Sequence, residues 1–223
     1  MNLFRTSASS NLSKGYYPVL LNLEGEKALV IGGGKVAERK ILALIKTGAD
    51  VTVISPEITK KIEQEKLKGT IKHICRNYRK GDLNKAFIVI AATDLQGINE
   101  QVSREAHNLV NVVDTPHLCN FIVPSVIKRG PLTIAISTGG ISPAFSKSIR
   151  RELEKIYGPE FAGYLNSLRN IRNEAMKVIK DQRKRGEFLK SLASEKMVKT
   201  LRGKGCKEAK KIAQVCLKKA KAG

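Results

Sequence analysis

A glycine-rich turn between a short apolar run and an amphipathic pattern constrains this chain more than any other feature. Lys27–Ile31 is apolar apart from its first residue and leads directly into Gly32–Gly34. Apolar side chains then recur at helical spacing, at Val36, Ala37, Ile41, Leu42, Leu44 and Ile45. After Gly48, the run Val51–Ile54 is apolar again. The stretch therefore predicts a strand, a tight turn, a helix and a second strand parallel to the first.

The same alternation continues to about residue 114. The further elements predicted are helices across Glu57–Lys68 and Gly97–Asn108, and strands at Thr70–Cys75, Ala86–Ala92 and Val110–Val113. Strands separated by helices predict an α/β fold, with a Rossmann-like doubly wound parallel sheet over residues 1–114.

Residues beyond 114 follow a different pattern. Pro131–Ser137 alternates like a strand, and Ser142 is a typical capping residue for a helix that reaches about Tyr157. Because residues 115–150 are too few for a separate domain, we expect this central segment to pack on a second copy of the chain. Residues 151–223 show no strand pattern and repeat apolar side chains every three or four positions, which predicts a helical C-terminal domain.

The formal net charge of +21 is concentrated toward the C-terminus. Residues 1–150 carry 21 basic and 12 acidic side chains, whereas residues 151–223 carry 20 and 8. A surplus of this size favours polyanionic partners, which include nucleic acid, an anionic membrane and a small molecule with many carboxylates. Charge alone does not choose among these classes.

The four cysteines form no CxxC pair and no disulfide framework, so we expect reduced thiols. No run approaches the about 20 apolar residues of a membrane span, and no apolar leader opens the chain. These features favour a cytoplasmic protein without a membrane partner. Residues 1–14 are rich in serine and are predicted to be an irregular start.

The turn fits G-x-G-x-x-A from Gly32 through Gly33 and Gly34 to Ala37. Gly32 permits a tight turn, Gly34 lets backbone N–H groups approach a pyrophosphate at the start of the helix, and Ala37 allows close packing. The preceding strand and the following helix favour a dinucleotide site over a plain connection.

The acid that usually holds the ribose hydroxyls should follow the second strand, yet Ser55 and Pro56 stand there. Glu57 is the nearest acid and no arginine is present to meet a 2′-phosphate, so NAD is favoured over NADP. Thr93 and Asp94 follow the fourth strand and are candidate cofactor neighbours, although Asp94 is equally suited to capping the next helix.

Asp114 follows the fifth strand, and we expect it to face the same crevice as the glycine turn. A carboxylate in a partly desolvated cleft can accept a proton while hydride leaves toward a nicotinamide, which makes Asp114 the candidate base. The alternative is a turn acid that bonds its own backbone before Pro116. His117 and Cys119 lie close by, but their spacing matches no standard metal site, so no bound metal is predicted.

Six sequence blocks stand in the order found in one enzyme family. They are Tyr17–Leu21, Gly32–Lys40, Ala91–Asp94, Asn111–Asp114, Phe121–Ser125 and Ser137–Pro143. With these blocks the chain resembles the precorrin-2 dehydrogenases, including the N-terminal dehydrogenase and ferrochelatase part of siroheme synthases. The resemblance spans roughly residues 16–154.

The resemblance implies an NAD-dependent enzyme that removes two hydrogens from precorrin-2, an octa-carboxylate tetrapyrrole, and forms sirohydrochlorin. Some members also insert Fe²⁺, and the aspartate matching Asp114 serves either step. It further implies that Lys35, Val36, Pro56 and Glu57 lie at the cofactor and that the central segment dimerises. Whether this chain inserts iron or cobalt, and whether its product serves siroheme, cobalamin or haem, stays open.

A substrate with eight carboxylates gives the basic surplus a purpose. The residues expected to meet it are His117, Lys128, Arg129, Gly139, Gly140, Lys147 and Arg150. Two other classes of function remain as alternatives. One is an NAD-sensing regulatory module without catalysis, and the other is a nucleic-acid contact by the basic tail, which lacks basic and aromatic interleaving.

Overall fold

The computed structural model describes residues 15–222, and the predicted irregular start at residues 1–14 lies outside them. Five strands form one parallel sheet in the order β3-β2-β1-β4-β5. The strands are β1 (Lys27–Ile31), β2 (Asp50–Ile54), β3 (Ile71–Ile74), β4 (Ile88–Ala91) and β5 (Leu109–Val112). The predicted doubly wound parallel sheet is confirmed.

Helices cover both faces of this sheet. They are α1 (Lys35–Ile45), α2 (Lys60–Leu67) and α3 (Gln96–Glu105). Ile41 of α1 and Ile62 of α2 pack into the core on one face, whereas Val102 of α3 packs on the other. β4 is buried along its whole length because both of its faces are covered.

Two helix boundaries differ from the sequence prediction for local reasons. α2 begins at Lys60 instead of Glu57, because the Thr59 side chain caps the helix and accepts a hydrogen bond from the Ile62 N–H. α3 ends at Glu105 instead of Asn108, where Ala106 leaves helical geometry with a ψ of 123°.

The chain divides into two compact units, one up to Val123 and one from Pro124 onward. The second unit opens with an antiparallel pair, β6 (Ser125–Arg129) and β7 (Leu132–Ile136), followed by α4 (Pro143–Ile156). Ser142 caps α4 as expected, accepting a hydrogen bond from the Phe145 N–H at 3.2 Å. The finer division of the chain at residues 114 and 150 stays a prediction.

The rest of the second unit is helical, as predicted. It consists of α5 (Glu160–Val178), α6 (Gln182–Ser191) and α7 (Glu195–Ala222), the last interrupted at Gly205. Ala209, Ala213 and Leu217 of α7 are buried at four-residue intervals and share a core cluster with Tyr164 and Ile171 of α5. Within residues 15–222, no helix combines the length and apolarity needed to cross a membrane.

Candidate functional site

A cavity of about 710 Å³ lies at the carboxyl ends of β1, β2 and β4, a size within the usual range for small-molecule sites. Nine of the ten residues predicted to bind the cofactor line it: Gly32, Gly33, Gly34, Lys35, Val36, Pro56, Glu57, Thr93 and Asp94. The tenth, Ala37, is fully buried against the sheet, in agreement with the packing role of the third motif position.

The three glycines of the turn have different surroundings. A β-carbon on Gly32, whose φ is 114°, would collide with the Ala92 carbonyl oxygen, and one on Gly33 would collide with that of Glu57. A β-carbon on Gly34 would meet nothing within 4 Å. The backbone at Gly34 is therefore open to a ligand at the N-terminus of α1, where N–H groups and the helix dipole favour a phosphate.

The loop after β2 is fastened to the glycine turn. The Thr59 N–H donates to the Gly33 carbonyl at 3.1 Å, and the Thr59 hydroxyl donates to Glu38 Oε2 of α1 at 2.6 Å. The buried Ser55 hydroxyl donates to the Glu57 carbonyl at 2.6 Å. These bonds fix the position of Pro56 and Glu57 at the cavity, where both side chains remain exposed.

Residues at the end of β3 support the same loop. His73 Nε2 lies 2.9 Å from the Ser55 carbonyl oxygen, and the Cys75 thiol donates to the Pro56 carbonyl at 3.2 Å. Both side chains therefore hold the backbone that lines the cavity.

Asn77 and Tyr78 line the cavity and were missed by sequence reasoning. The Tyr78 hydroxyl donates to Glu105 Oε2 at 2.6 Å. Burial, reinforced by this bond, raises the pKa of Tyr78 well above its ordinary value, so the phenol stays protonated. The only signal in the sequence is their place directly after a predicted strand.

The end of β4 contributes Thr93 and Asp94 to the cavity. The Asn99 side-chain amide donates to the Thr93 carbonyl at 2.8 Å, and the Thr93 hydroxyl accepts from the Leu95 N–H at 3.2 Å. Leu95 is the N-cap residue of α3, so the capping alternative for Asp94 is wrong. Asp94 is exposed and lines the cavity.

Asp114 lies in the turn after β5 and is exposed, with a left-handed φ of 58°. It is not among the residues that line the 710 Å³ cavity, and β5, which precedes it, is the edge strand next to β4. His117 is exposed in the short 3₁₀ turn Pro116–Leu118 that follows. Within the described residues, no group of three or more histidine, cysteine or acidic side chains is arranged to hold a metal ion. The catalytic role of Asp114 stays a prediction.

The other residues expected to meet the substrate lie in the second unit, and two of them make local contacts. Arg129 Nε donates to the Tyr157 carbonyl at 3.0 Å, and Arg150 pairs with Glu154 at 2.6 Å. Lys128 and Lys147 are exposed, and Gly139 and Gly140 have positive φ in open space. Their substrate contacts stay a prediction.

Two segments of the chain match described families of known proteins. Residues 19–125 match a family described as "Putative NAD(P)-binding", and residues 129–156 match one described as "Sirohaem biosynthesis protein central". The first unit thus contains an NAD-binding domain of Rossmann-like architecture.

Several curated relatives are siroheme synthases. The one from Methylobacillus flagellatus is 43% identical over 142 residues, which cover 62% of this chain and 30% of that protein. The one from Actinobacillus succinogenes is 32% identical over 207 residues, covering 92% of this chain and 44% of that protein. The chain thus spans less than half the length of these relatives.

A solved structure resembles the chain over nearly its whole length. "SirC, precorrin-2 dehydrogenase" superimposes with a TM-score of 0.80 and 27% sequence identity, covering 92% of this chain and all of that one. Together with the two domain matches, this shows that the chain is similar to SirC over nearly its whole length and to the corresponding portion of the siroheme synthases.

Proposed function

We propose that this protein is an NAD-dependent dehydrogenase that converts precorrin-2 to sirohydrochlorin. The observation that carries the proposal is the end-to-end similarity to SirC, a precorrin-2 dehydrogenase, because that protein has no part outside the matched region. The cavity around the glycine turn supports it from the geometry of this chain. The overall change is precorrin-2 plus NAD⁺ giving sirohydrochlorin, NADH and one proton.

The residues of the turn fit a dinucleotide. Gly34 leaves room for a pyrophosphate at the start of α1, and the Lys35 side chain is exposed beside it. Glu57 is the acid best placed to accept a hydrogen bond from a ribose hydroxyl. When bound, NAD⁺ supplies the hydride acceptor.

The protein's own contribution to the chemistry is a proton acceptor. In the proposed mechanism the Asp114 carboxylate takes the proton that leaves the macrocycle as hydride departs, and then returns it to water. Basic side chains of the second unit, among them Lys128 and Lys147, meet the substrate carboxylates.

We also propose that the second unit forms a homodimer through β6, β7 and α4. Ile141 and Phe145 are exposed by 80% and 61%, and Val126 of β6 and Ile156 of α4 are also exposed. A two-stranded sheet with such apolar neighbours needs further cover to be stable. Light scattering should give a molar mass of twice the chain mass for the wild type. Phe145→Ser should shift the measured mass toward that of the monomer. A monomeric wild type would refute the dimer.

Cofactor binding is tested most sharply at Gly34. Gly34→Ala places a methyl group in the open space over the turn without touching any protein atom, so it should fold normally and weaken NAD⁺ binding by at least about tenfold. Gly186→Ala in α6, whose β-carbon also meets nothing, is the matched control. Isothermal titration calorimetry with NAD⁺ and with NADP⁺ gives the dissociation constants of both variants. Unchanged NAD⁺ binding by Gly34→Ala would contradict the assigned site.

Catalysis is tested by supplying enzymatically generated precorrin-2 and NAD⁺ and following NADH and sirohydrochlorin. The wild type should form both, and Asp114→Asn should be slowed by about 10²-fold or more, as expected for loss of a general base. NAD⁺ binding without turnover by the wild type would favour the NAD-sensing module instead. Adding Fe²⁺ to the same assay shows whether this chain also inserts iron.

A further inference from the structure

The acid best placed to hold the adenosine ribose stands outside the sheet. Two residues, Ser55 and Pro56, separate Glu57 from the end of β2, and Glu57 lies in the irregular connection that leads to α2. The hydrogen-bond ladder between the strands therefore does not fix Glu57. Its position depends on the groups that hold this connection, which we call the Ser55–Glu57 loop.

Side chains hold three successive carbonyl groups of the Ser55–Glu57 loop. His73 Nε2 lies 2.9 Å from the Ser55 carbonyl oxygen, the Cys75 thiol donates to the Pro56 carbonyl at 3.2 Å, and the Ser55 hydroxyl donates to the Glu57 carbonyl at 2.6 Å. His73 belongs to β3, the edge strand beside β2, and Cys75 follows that strand directly. The edge of the sheet thus supplies two of the three contacts.

The His73 ring is suited to this one contact. A carbonyl oxygen only accepts, so Nε2 must carry the proton that forms the bond, and Nδ1 of the neutral ring then carries none. Within the described residues, Nδ1 is buried and has no hydrogen-bond partner. A phenylalanine would avoid this unsatisfied atom but would leave the Ser55 carbonyl without its donor. What a histidine provides here is therefore the bond to the Ser55 carbonyl.

The Ser55–Glu57 loop also lies against the glycine turn. A β-carbon on Gly33 would collide with the Glu57 carbonyl oxygen, and the Thr59 N–H donates to the Gly33 carbonyl at 3.1 Å. The distance between Glu57 and the turn that receives the pyrophosphate is therefore set by how the loop is held. A carboxylate at this place accepts hydrogen bonds from the ribose hydroxyls of NAD⁺ and repels the 2′-phosphate of NADP⁺.

We propose that His73, assisted by Cys75, is a positioning residue that sets the preference for NAD⁺ over NADP⁺. It holds the Ser55–Glu57 loop so that the Glu57 carboxylate lies at the ribose hydroxyls. The inference rests on the proposed function and adds to it the groups that determine cofactor selectivity. Neither His73 nor Cys75 contacts the cofactor in this scheme, and both act through Glu57.

The test measures the dissociation constants of NAD⁺ and NADP⁺ by isothermal titration calorimetry. His73→Phe keeps a planar ring and removes the donor to the Ser55 carbonyl, so NAD⁺ binding should weaken about tenfold, as expected for loss of a hydrogen bond to a carboxylate. NADP⁺ binding should weaken by less than about twofold, because a displaced Glu57 carboxylate repels the 2′-phosphate less. His73→Gln, whose amide can donate to the same carbonyl, should restore the preference for NAD⁺.

Two further variants separate this effect from a general disturbance of β3. Lys72→Met changes the neighbouring residue of the strand, whose exposed side chain pairs with Asp50 at 3.1 Å, and should leave both dissociation constants unchanged. Cys75→Ala removes the weaker thiol donor and should lower the preference for NAD⁺ about threefold. Because Cys75 is exposed, this variant tests the loop even if His73→Phe does not fold.

A double variant shows whether His73 acts through Glu57. In a Glu57→Gln background, His73→Phe should not change the ratio of the two dissociation constants further, whereas a loss of fold stability would weaken both cofactors in either background. An unchanged ratio in His73→Phe, or in Cys75→Ala should His73→Phe not fold, overturns the inference. A wild type that binds the two cofactors equally, or binds neither, overturns it as well. A lowered ratio in a protein whose wild type makes no NADH from precorrin-2 overturns only the dehydrogenase.

Discussion

The two units of this protein achieve order in different ways. In the first unit, five parallel strands bring together residues far apart in sequence, and the loops after β1, β2, β3 and β4 line a 710 Å³ cavity. In the second, α5 and α7 pack through apolar side chains repeated every three or four residues, and much of the positive charge lies on the solvent side. A parallel sheet gathers ligand-binding loops at one edge, whereas packed helices with charged outer faces provide a polyanion-attracting surface.

The two units should differ most in the stability that they lose when a glycine of positive φ is replaced by alanine. Gly32 has a φ of 114° and no space for a β-carbon, whereas Gly205 has a φ of 79° and open space. We expect Gly32→Ala to destabilise the first unit by about 3 kcal/mol or more, from strain plus collision, and Gly205→Ala to cost the second unit a smaller amount, about 1–3 kcal/mol, from strain alone.

Hydrogen exchange followed by mass spectrometry resolves these two effects, because it assigns lost protection to segments of each unit. Equal losses for the two variants would mean that the collision with the Ala92 carbonyl is relieved by a small shift of the β4 end. The first unit would then be less rigid at the cavity than its contacts indicate.

A smaller effect is expected at Tyr164, which ties helices together in the second unit. Its buried hydroxyl donates to the Leu192 carbonyl at 2.8 Å. Tyr164→Phe should cost about 1–2 kcal/mol, because it leaves a buried carbonyl oxygen without its donor. Tyr157→Phe is the control, since the contacts of Tyr157 with Phe161 and Arg202 are made by its ring.

The same residue makes the stability of the second unit sensitive to alkali. Burial raises the pKa of Tyr164 to about 12, with smaller contributions from Cys216 and Cys206. Because a phenol ionises near pH 10 in the unfolded chain, the stabilisation is complete below about pH 10 and is lost as the pH rises toward about 12. Tyr164→Phe should flatten this part of the stability curve, measured by urea unfolding, and an unchanged slope would contradict the assignment.

Local patterns were sufficient to predict the glycine turn, the succession of strands and helices along the first unit, and the cap at Ser142, because each depends on residues close in sequence. The path of the loops could not be predicted in this way. Asn77 and Tyr78 reach the cavity only because the connection between β3 and β4 runs there without a helix, and no periodicity in the sequence records that path. The distance of Asp114 from the glycine turn depends likewise on β4 lying between β1 and β5, which is a property of sheet order.

The smallest effect should come from the charges that make the second unit so basic. Arg183 and Glu187 of α6 form an ion pair at 3.6 Å, but their side chains are 88% and 67% exposed. The Asp82 carboxylate of the first unit instead accepts two bonds from Arg76, at 2.7 and 2.8 Å, with only 14% exposure. We therefore expect Glu187→Gln to change the stability of the second unit by less than about 0.5 kcal/mol.

Raising the salt concentration distinguishes attraction within the Arg183–Glu187 ion pair from repulsion among the excess cations, when the wild type is compared with Glu187→Gln. If the excess cations only repel one another, added salt screens them and should stabilise wild type and Glu187→Gln equally in thermal unfolding. A wild type that loses stability in salt while the variant does not would show that such surface pairs hold the helices together. With no such loss, the lysines and arginines on the outer faces of the second unit remain available to an anionic substrate at little structural cost.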